Sequence, residues 1–355
     1  MTARRSVGGR QGFSGRAAVV GIGMTALTRS SGRSVLELAV EASRAALADA
    51  GLSTVDAVLT YHLGDSVPAQ YVARALGIRE LGWHNEIHGG GTQCASVLGD
   101  AAMLVDAGVA DTVLVYRALN GRSGRRLGQT ALRVGDGAEA QFTLPYGMLG
   151  PVHLFALAAQ RYLHETGTDL AEVVIRSRAS AAGNARALRR TPMNRDDYLA
   201  SPLVASPLRR ADCCQETDGA CALVVTRAVP GAPRIHAVVR GGGPGSSTMD
   251  KAADLTTTFS AYVASALYAA AGMKPGDIDV ALLYDAYSYL VPQQLADFRL
   301  DPAVPVNPHG GLLSEGYVHG LNNVAEAVRQ VRAGAEAALV TGFGGSYGSA
   351  AVLVA

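Results

Sequence analysis

Side chains that can transfer protons are concentrated in one glycine-rich segment near the carboxyl end of the chain. Residues 307–323 read Asn-Pro-His-Gly-Gly-Leu-Leu-Ser-Glu-Gly-Tyr-Val-His-Gly-Leu-Asn-Asn, and Tyr317 and His319 lie just before a predicted helix. Phenol and imidazole groups serve as general acids and bases, and surrounding glycines are typical of a backbone that a ligand approaches closely. The segment predicts a site of proton transfer. The alternative is an ordinary surface loop with an exposed Tyr and His.

Two further segments of the same character follow predicted strands. Residues 284–287 (Tyr-Asp-Ala-Tyr) end one apolar run, and residues 342–348 (Gly-Phe-Gly-Gly-Ser-Tyr-Gly) follow another. Because ligands of α/β proteins bind at such strand ends, Tyr284, Asp285 and Tyr347 are candidates for the same site. A bulge at a strand end shifts the alternation of side chains, so the sequence leaves open whether Tyr284 or Tyr287 faces the pocket.

Cys94 follows a Gly-Gly-Gly-Thr-Gln run at residues 89–93 and opens a predicted helix. The positive end of a helix dipole favours thiolate and lowers the pKa of a thiol, which suits a nucleophile. Free cysteines are also commonly buried as small packing residues. The position alone leaves both interpretations open.

These segments occupy equivalent positions in two similar halves of the chain. A strand-like run, an amphipathic helix and a second strand-like run occur twice, at residues 16–23, 34–50 and 55–61 and again at 234–240, 259–271 and 278–284. Each half continues through a Gly-rich turn and a helix into two closing strands. The sequence therefore predicts a duplicated α/β unit, with halves at residues 17–229 and 230–355 joined by a Pro/Gly linker.

Residues 119–210 have no counterpart in the second half and are predicted to form a loop domain. They begin with a turn and a cluster of guanidinium groups at Arg122, Arg125 and Arg126, which could face a phosphate. The apolar spacing then predicts helices over residues 151–166 and 170–184.

The composition is that of an α/β enzyme without a polyanionic partner. The 355 residues include 48% hydrophobic residues and 42 glycines, and 31 basic residues nearly balance 30 acidic ones, which gives no indication of nucleic acid or an anionic membrane. The four cysteines lack paired spacing and favour reduced thiols in the cytoplasm. No apolar run is long enough to cross a bilayer, and residues 1–16 are predicted to be a flexible tail.

Two weaker patterns are rejected. Residues 21–26 fit a dinucleotide-binding pattern, but no helix starts there and no acidic residue ends a following strand. His84, Glu86 and His88 would share one face of a strand, but ordinary polar strand residues explain them better than a metal site. No metal ligand set is predicted.

Taken together, the motifs resemble the thiolase superfamily, and within it the sterol-carrier-protein-type thiolases. The resemblance covers nearly the whole chain from about residue 17 and rests on residues 93–96, 218–220, 284–287, 310–320 and 342–348. Further similarity to actinobacterial steroid side-chain retro-aldolases lies at residues 116–120, 121–124, 161–162, 212–216 and 316–320. The resemblance implies a duplicated thiolase fold with five layers (αβαβα), an obligate dimer, a CoA or carrier-protein thioester as substrate, and no bound cofactor.

Departures from the thiolase pattern indicate the reaction. Cys94 takes the place of the nucleophilic cysteine, but Gly-Tyr-Val at residues 316–318 replaces the usual Gly-His-Pro, and Gly342 replaces the second cysteine. Tyr284 stands where thiolases have Asn or His. A thiol without a base is a poor acylation site, so the resemblance implies an aldolase in which Tyr317 and Tyr284 share the proton transfers.

The remaining roles follow from the same resemblance. A free phenol has a pKa of about 10, so a tyrosine that acts as a base near neutral pH needs a strongly lowered pKa or a water relay. Asp285 and His319 are candidates to change the pKa of these tyrosines. Tyr347 is a further candidate for proton transfer. Backbone N–H groups of Gly344, Gly345 and Cys94 would bind the oxyanion. Four arginines are candidates to bind the CoA phosphates: Arg117, Arg122, Arg125 and Arg126. The alternative is that they form a solvated basic surface.

The resemblance also implies an OB-fold, zinc-ribbon partner that binds acyl-CoA. The segment at residues 295–306 is shorter than in relatives of this branch, which suggests a substrate other than the usual steroid acyl-CoA. Two alternatives to the aldolase stay open. One is a thiolase or acyltransferase with Cys94 as nucleophile and His319 as its base, and the other is a non-catalytic scaffold that binds acyl chains.

Overall fold

The computed structural model describes residues 15–124, 126, 140–245, 252–345 and 347–355. Its strands are β1 Ala17–Met24, β2 Ala57–His62, β3 Trp83–His88, β4 Thr112–Asn120, β5 Leu203–Ala205, β6 Leu208–Arg209, β7 Asp218–Arg227, β8 Arg234–Gly241, β9 Val280–Leu282, β10 Ala337–Phe343 and β11 Gly348–Val354. Its helices are α1 Val35–Ala50, α2 Ala69–Leu76, α3 Ser96–Asp106, α4 Ala140–Thr143, α5 Pro151–Thr166, α6 Leu170–Ala181, α7 Arg195–Ala200, α8 Ser260–Ala271, α9 Leu290–Asp297, α10 Gly311–Ser314 and α11 Leu321–Arg332.

The strand order repeats the duplication seen in the sequence. Within the described residues the main sheet runs β3-β2-β4-β7-β1-β8-β11-β10-β9, and β1 meets β8 at the junction. Outward from this junction the first half reads β1-β7-β4-β2-β3 and the second reads β8-β11-β10-β9. Val306 forms a parallel bridge to Ala281 of β9, at the place that β3 takes beside β2. The two halves therefore share one topology.

Helices on both sides of the strands produce the five layers. Helix α3 of the first half packs on β4 and β7 and also on β8 of the second half, and α11 packs on β9 and β10 as well as on β1 and β7. These two helices form the central layer. Helix α1 covers β1, β4 and β7 on one outer side, and α8 covers β8 and β11 on the other. The αβαβα arrangement predicted from the sequence is confirmed.

Glycines in β1 explain the pattern that resembled a dinucleotide-binding motif. A methyl group added at Gly21 would lie 2.2 Å from the carbonyl oxygen of Ala46, and one at Gly23 would lie 2.1 Å from that of Ala42. Both carbonyls belong to α1, so these glycines allow the helix to pack directly on the strand. Their role in the fold is close packing.

The segment between β4 and β7 adds helices above the second half. Helix α5 has the predicted bounds and is capped after Thr166 by Gly167, whose φ of 65° suits glycine, whereas α6 ends at Ala181, three residues short of the predicted end at 184. The ring of Phe155 in α5 packs against that of Tyr287 at a tilt of 33°, with centroids 4.5 Å apart. None of the helices in the described parts of the chain is both long and apolar enough to cross a bilayer.

Candidate active site

The two tyrosines predicted from separate segments meet in the structure. The phenolic oxygens of Tyr284 and Tyr317 lie 2.6 Å apart in a hydrogen bond. Tyr284 follows β9, where its N–H donates to Thr341 Oγ1 at 2.8 Å. Tyr317 lies between α10 and α11, and its N–H donates to Thr217 Oγ1 at 2.7 Å. Strand ends and a loop before a central helix therefore hold both phenols in place, and Tyr284 rather than Tyr287 faces Tyr317.

The phenols are buried and neutral. Tyr284 is 2% exposed and Tyr317 is 8% exposed. Burial raises the pKa of both phenols, and the charge that the neighbouring tyrosine would carry raises the pKa of Tyr284 further. The lowered pKa that a free phenolate base needs near neutrality is therefore absent, because burial penalises the charged form.

Glycines make room for the tyrosine and the thiol at the centre of the site. A methyl group at Gly91 would lie 1.9 Å from the hydroxyl oxygen of Tyr284, and one at Gly320 would lie 2.7 Å from Cys94 Sγ. A methyl group at Gly342 would lie 2.6 Å from the same sulfur. Gly342 stands where thiolases carry a second cysteine, and the sulfur of Cys94 leaves no room there for a side chain.

Cys94 is enclosed between the two halves. It is 0% exposed, follows a 3-10 turn at Gly91–Gln93, and donates its S–H to the carbonyl oxygen of Thr341 at 3.5 Å. Burial raises the pKa of the Cys94 thiol to about 12, although backbone N–H groups act in the opposite direction. The lowered pKa expected from the helix dipole is therefore wrong, because desolvation of the thiolate outweighs it.

Arg117 lies beneath the site, joined to His319. It is 0% exposed, its Nη2 donates to Asp65 Oδ2 at 2.6 Å, and its Nε and Nη2 lie 3.2 Å and 2.8 Å from His319 Nδ1. Nη1 donates to the carbonyl oxygen of Ala118 at 2.7 Å. The prediction that Arg117 contacts CoA phosphates is corrected, because a fully buried guanidinium with these partners does not reach the surface.

Asp285 does not touch the phenols. Its Oδ1 accepts from the N–H of Leu312 at 2.8 Å and its Oδ2 from that of Leu313 at 3.3 Å, so it binds the start of α10. Burial raises the pKa of Asp285 to about 6. Tyr347 is 46% exposed, and its carbonyl oxygen accepts from Thr92 Oγ1 at 3.0 Å. Asp285 therefore makes its hydrogen bonds to the backbone of α10 and not to the phenols, and the Tyr347 side chain is largely exposed.

The predicted oxyanion turn and phosphate loop lie at the edges of the site. Gly344 is exposed, with Thr92 Oγ1 2.4 Å from where its Cβ would be, and Gly345 has a φ of 94°. Arg122 is half-buried, and Arg126 Nε lies 2.6 Å from Glu216 Oε2. Arg125 and residues 1–14 of the predicted tail lie outside the described residues.

Three site residues escaped the sequence interpretation. Tyr61 donates its hydroxyl to the carbonyl oxygen of His319 at 3.0 Å. Asp65 pairs with Arg117, and Thr341 contacts both Cys94 and the backbone of Tyr284. Asp65 follows β2, so the rule that ligand-binding residues gather at strand ends could have found it. In the described parts of the chain, His, Cys, Asp and Glu form no group of three or more that could hold a metal.

The fold and the site together define a thiolase-fold protein in which two phenols adjoin a buried thiol. No family model matches the chain. It is 40% identical over 379 residues to the 17-hydroxy-3-oxo-4-pregnene-20-carboxyl-CoA lyase of Mycobacterium tuberculosis, covering 93% of this chain and 96% of the relative. It is 39% identical to a steroid side-chain-cleaving aldolase of Thermomonospora curvata, covering 90% of each.

Solved structures agree with these relatives. The Ltp2–ChsH2 (DUF35) aldolase superposes with a TM-score of 0.90 and 35% identity, covering 97% of this chain and 98% of that chain. Human mitochondrial 3-ketoacyl-CoA thiolase superposes with a TM-score of 0.70 at 18% identity, which shows the shared fold. The protein belongs to the steroid side-chain-cleaving aldolases of the thiolase superfamily. The resemblance stated from the sequence is confirmed.

Proposed function

We propose that the protein is a carbon–carbon lyase that catalyses retro-aldol or aldol chemistry on a β-hydroxyacyl thioester of CoA. One observation carries the proposal: Tyr284 and Tyr317 share a 2.6 Å hydrogen bond. The thiol beside them, Cys94, is buried and protonated. Because the two relatives at about 40% identity are named as a lyase of a steroid carboxyl-CoA and as a side-chain-cleaving aldolase, family membership supports the same class of reaction.

The phenol pair can carry the reaction as a proton relay. One phenol accepts the proton of the β-hydroxyl while its own proton passes along the hydrogen bond to the other phenol. The O–H electron pair forms the carbonyl of the leaving ketone or aldehyde, the Cα–Cβ bond breaks, and its electron pair moves onto the thioester as an enolate. As the second phenol takes up the proton of the first, it gives its own hydroxyl proton to the α-carbon, so neither phenol holds two protons and the enolate is transient. Both phenols end neutral, which agrees with their raised pKa values.

Acyl transfer through Cys94 finds little support in the same geometry. A nucleophilic thiol needs a base that can take its proton. His319 is the imidazole that the alternative requires, but Arg117 donates to its Nδ1, and burial together with the Arg117 charge lowers its pKa. An imidazole with a lowered pKa is a poor base, so the aldolase is favoured over the thiolase.

The substrate is a thioester whose acyl group differs from those of the relatives. The segment at residues 295–306 is short, and beside it lies a cavity of about 210 Å³. Its lining includes Val291, Leu295 and Val306 together with Asp285. A change in the length of a loop beside a cavity alters substrate specificity. We therefore propose that residues 295–306 and this cavity select an acyl group different from that of the relatives. No resident cofactor is needed for the relay.

Exposed surfaces support a homodimer and a heteromeric partner. Strand β3 forms one edge of the main sheet in the described residues, and its Trp83 is 46% exposed, so a second copy could pair along this edge. Large apolar side chains of the inserted segment are also exposed: Phe142, Tyr146, Leu149, Leu157 and Leu203. Exposed apolar side chains of this size suit contact with a protein partner, and we propose that they bind the predicted OB-fold, zinc-ribbon protein. Four free cysteines favour the cytoplasm.

The test compares cleavage of a β-hydroxyacyl-CoA by the purified protein alone and with its partner. Tyr317→Phe should abolish release of the carbonyl product, whereas Cys94→Ala should retain it within a few-fold. Equal loss in Cys94→Ala, together with an acyl group trapped on the sulfur, would overturn the lyase in favour of acyl transfer. Absence of turnover in the wild type with partner present would favour the non-catalytic scaffold.

A further inference from the structure

One buried nitrogen at the site has no hydrogen-bond partner among the described residues. It is Nε2 of His319, a side chain that is 1% exposed. A buried polar atom without a partner is costly, and native structures keep such atoms where a ligand or a reaction uses them. The nitrogen belongs to the segment between α10 and α11 that also carries Tyr317.

The neighbours of His319 fix which nitrogen carries the proton. Nδ1 lies 3.2 Å from Arg117 Nε and 2.8 Å from Arg117 Nη2. A guanidinium donates hydrogen bonds and accepts none, so Nδ1 must be the acceptor. The neutral imidazole then carries its proton on Nε2, and the imidazolium is excluded because its Nδ1–H would face two donors. The unpartnered atom is therefore an N–H donor.

The donor is held in a defined direction. His319 has a φ of 47°, a left-handed conformation that is uncommon outside glycine, and Tyr61 donates to its carbonyl oxygen at 3.0 Å. Asp65 in turn binds Arg117 Nη2 at 2.6 Å, which orients the guanidinium. The imidazole also packs edge-on against the ring of Tyr317, with centroids 4.9 Å apart. The N–H donor and the phenol pair thus share one site.

We propose that His319 Nε2–H binds the carbonyl oxygen of the substrate thioester and stabilises the enolate that forms there when the Cα–Cβ bond breaks. This role rests on the proposed lyase function. The electron pair of the broken bond comes to rest on the oxygen that His319 faces, while the phenol pair carries the proton to the α-carbon. His319 keeps its own proton throughout. A preorganised donor in a buried site stabilises such an oxyanion strongly.

Arg117 and Asp65 are positioning residues in this arrangement. Arg117 holds Nδ1 unprotonated and therefore the proton on Nε2, and its positive charge strengthens Nε2–H as a donor. Asp65 compensates that charge, and although burial opposes ionisation, Arg117 keeps the pKa of Asp65 low. A neutral imidazole that donates to a developing enolate is an established solution in other enzymes.

The first test uses a variant that tolerates the backbone. His319→Asn is chosen because Asn is enriched in left-handed conformations, whereas its shorter amide does not reach the position of Nε2. We expect kcat to fall by about 10²- to 10³-fold with KM changed only a few-fold. His236→Asn is the matched control, since Nε2 of that half-buried histidine donates to the carbonyl oxygen of Ala271 in an outer layer, away from the phenol pair. A wild-type kcat in folded His319→Asn would overturn the proposal.

A second measurement separates enolate stabilisation from C–C cleavage. The acyl-CoA product is incubated with protein in D₂O, and exchange of its α-protons is followed by mass spectrometry. Exchange needs the enolate but no β-hydroxyl, so His319→Asn should slow it as much as it slows cleavage. Undiminished exchange in this variant contradicts the role of His319. If wild-type protein exchanges α-protons but cleaves no β-hydroxyacyl-CoA, the lyase proposal fails while the donor role stands.

The tautomer itself can be observed. In NMR spectra of protein labelled with ¹⁵N-histidine, His319 should show a protonated Nε2 and an unprotonated Nδ1 throughout the neutral pH range. A resonance with the proton on Nδ1, or an ordinary histidine titration, would contradict the assignment even if the variant protein were unstable.

Discussion

The phenolic oxygens of Tyr284 and Tyr317 lie 2.6 Å apart, although 33 residues separate the two in the chain. The backbone N–H of Tyr284 donates to Thr341 Oγ1 of β10, and that of Tyr317 donates to Thr217 Oγ1 just before β7. Strands of both halves of the chain therefore fix the pair. Because both pKa values are raised, neither phenol acts alone as a base, and the two are expected to work as one unit.

Removal of either hydroxyl should therefore abolish the relay. We expect Tyr284→Phe and Tyr317→Phe each to lower kcat by about 10²- to 10⁴-fold, and the double variant to be no slower than the worse single variant. The measurement is release of carbonyl product under saturating substrate. Tyr289→Phe is the matched control, since Tyr289 is also buried but packs against Tyr162. Multiplicative losses in the double variant would show that the hydroxyls act independently.

The Cys94 thiol should be unreactive in the folded protein. With a pKa of about 12, only about one thiol in ten thousand is ionised near pH 8, and the sulfur is also inaccessible. Iodoacetamide should therefore label Cys94 only after denaturation in guanidinium, as measured by mass spectrometry of the Cys94 peptide. Cys213 and Cys214 are half-buried, and burial raises the pKa of their thiols as well, so they should also stay largely unlabelled until denaturation. Rapid labelling of native Cys94 would mean that an unrecognised base activates it.

Close packing around Tyr284 should make Gly91 intolerant of any side chain. Gly91→Ala would place a methyl group 1.9 Å from the Tyr284 hydroxyl and displace it from Tyr317. We expect a loss of activity close to that of Tyr284→Phe, with a free energy of unfolding lowered by about 1–3 kcal/mol. Gly276→Ala, where an added methyl meets nothing within 4 Å, should leave both quantities unchanged. Full activity in Gly91→Ala would show that the phenol position is not critical.

Periodicity in the sequence was sufficient for much of the fold. The duplicated order of strands and helices, and the bounds of α5, follow from apolar spacing and from Gly167. Apolar spacing does not predict which side chains of distant segments contact each other. Tyr284 faces Tyr317, whereas Tyr287 packs on Phe155 of the inserted helix, and strand alternation alone did not distinguish the two.

Burial also changes the pKa of Cys94 and the partners of Arg117 from those that the local sequence predicts. The helix start beside Cys94 predicts a lowered pKa, but enclosure between the two halves raises it. Arg117 resembles a surface phosphate ligand in sequence, but Asp65 and His319, which lie 52 and 202 residues away along the chain, pair with it inside the protein. Desolvation depends on the assembled layers, so a one-dimensional pattern carries little of that information.

The dependence of activity on pH distinguishes a relay from a phenolate base. Burial raises the pKa of Tyr284 and Tyr317 above the ordinary phenol value of about 10, so both stay protonated from about pH 7 to pH 9. A relay of neutral phenols predicts that kcat/KM is constant across this window. A free phenolate base predicts instead a tenfold rise per pH unit, because the ionised fraction grows with pH below the pKa. Initial rates at constant ionic strength, with folding checked by circular dichroism, decide between the two, and a rising profile would contradict the relay.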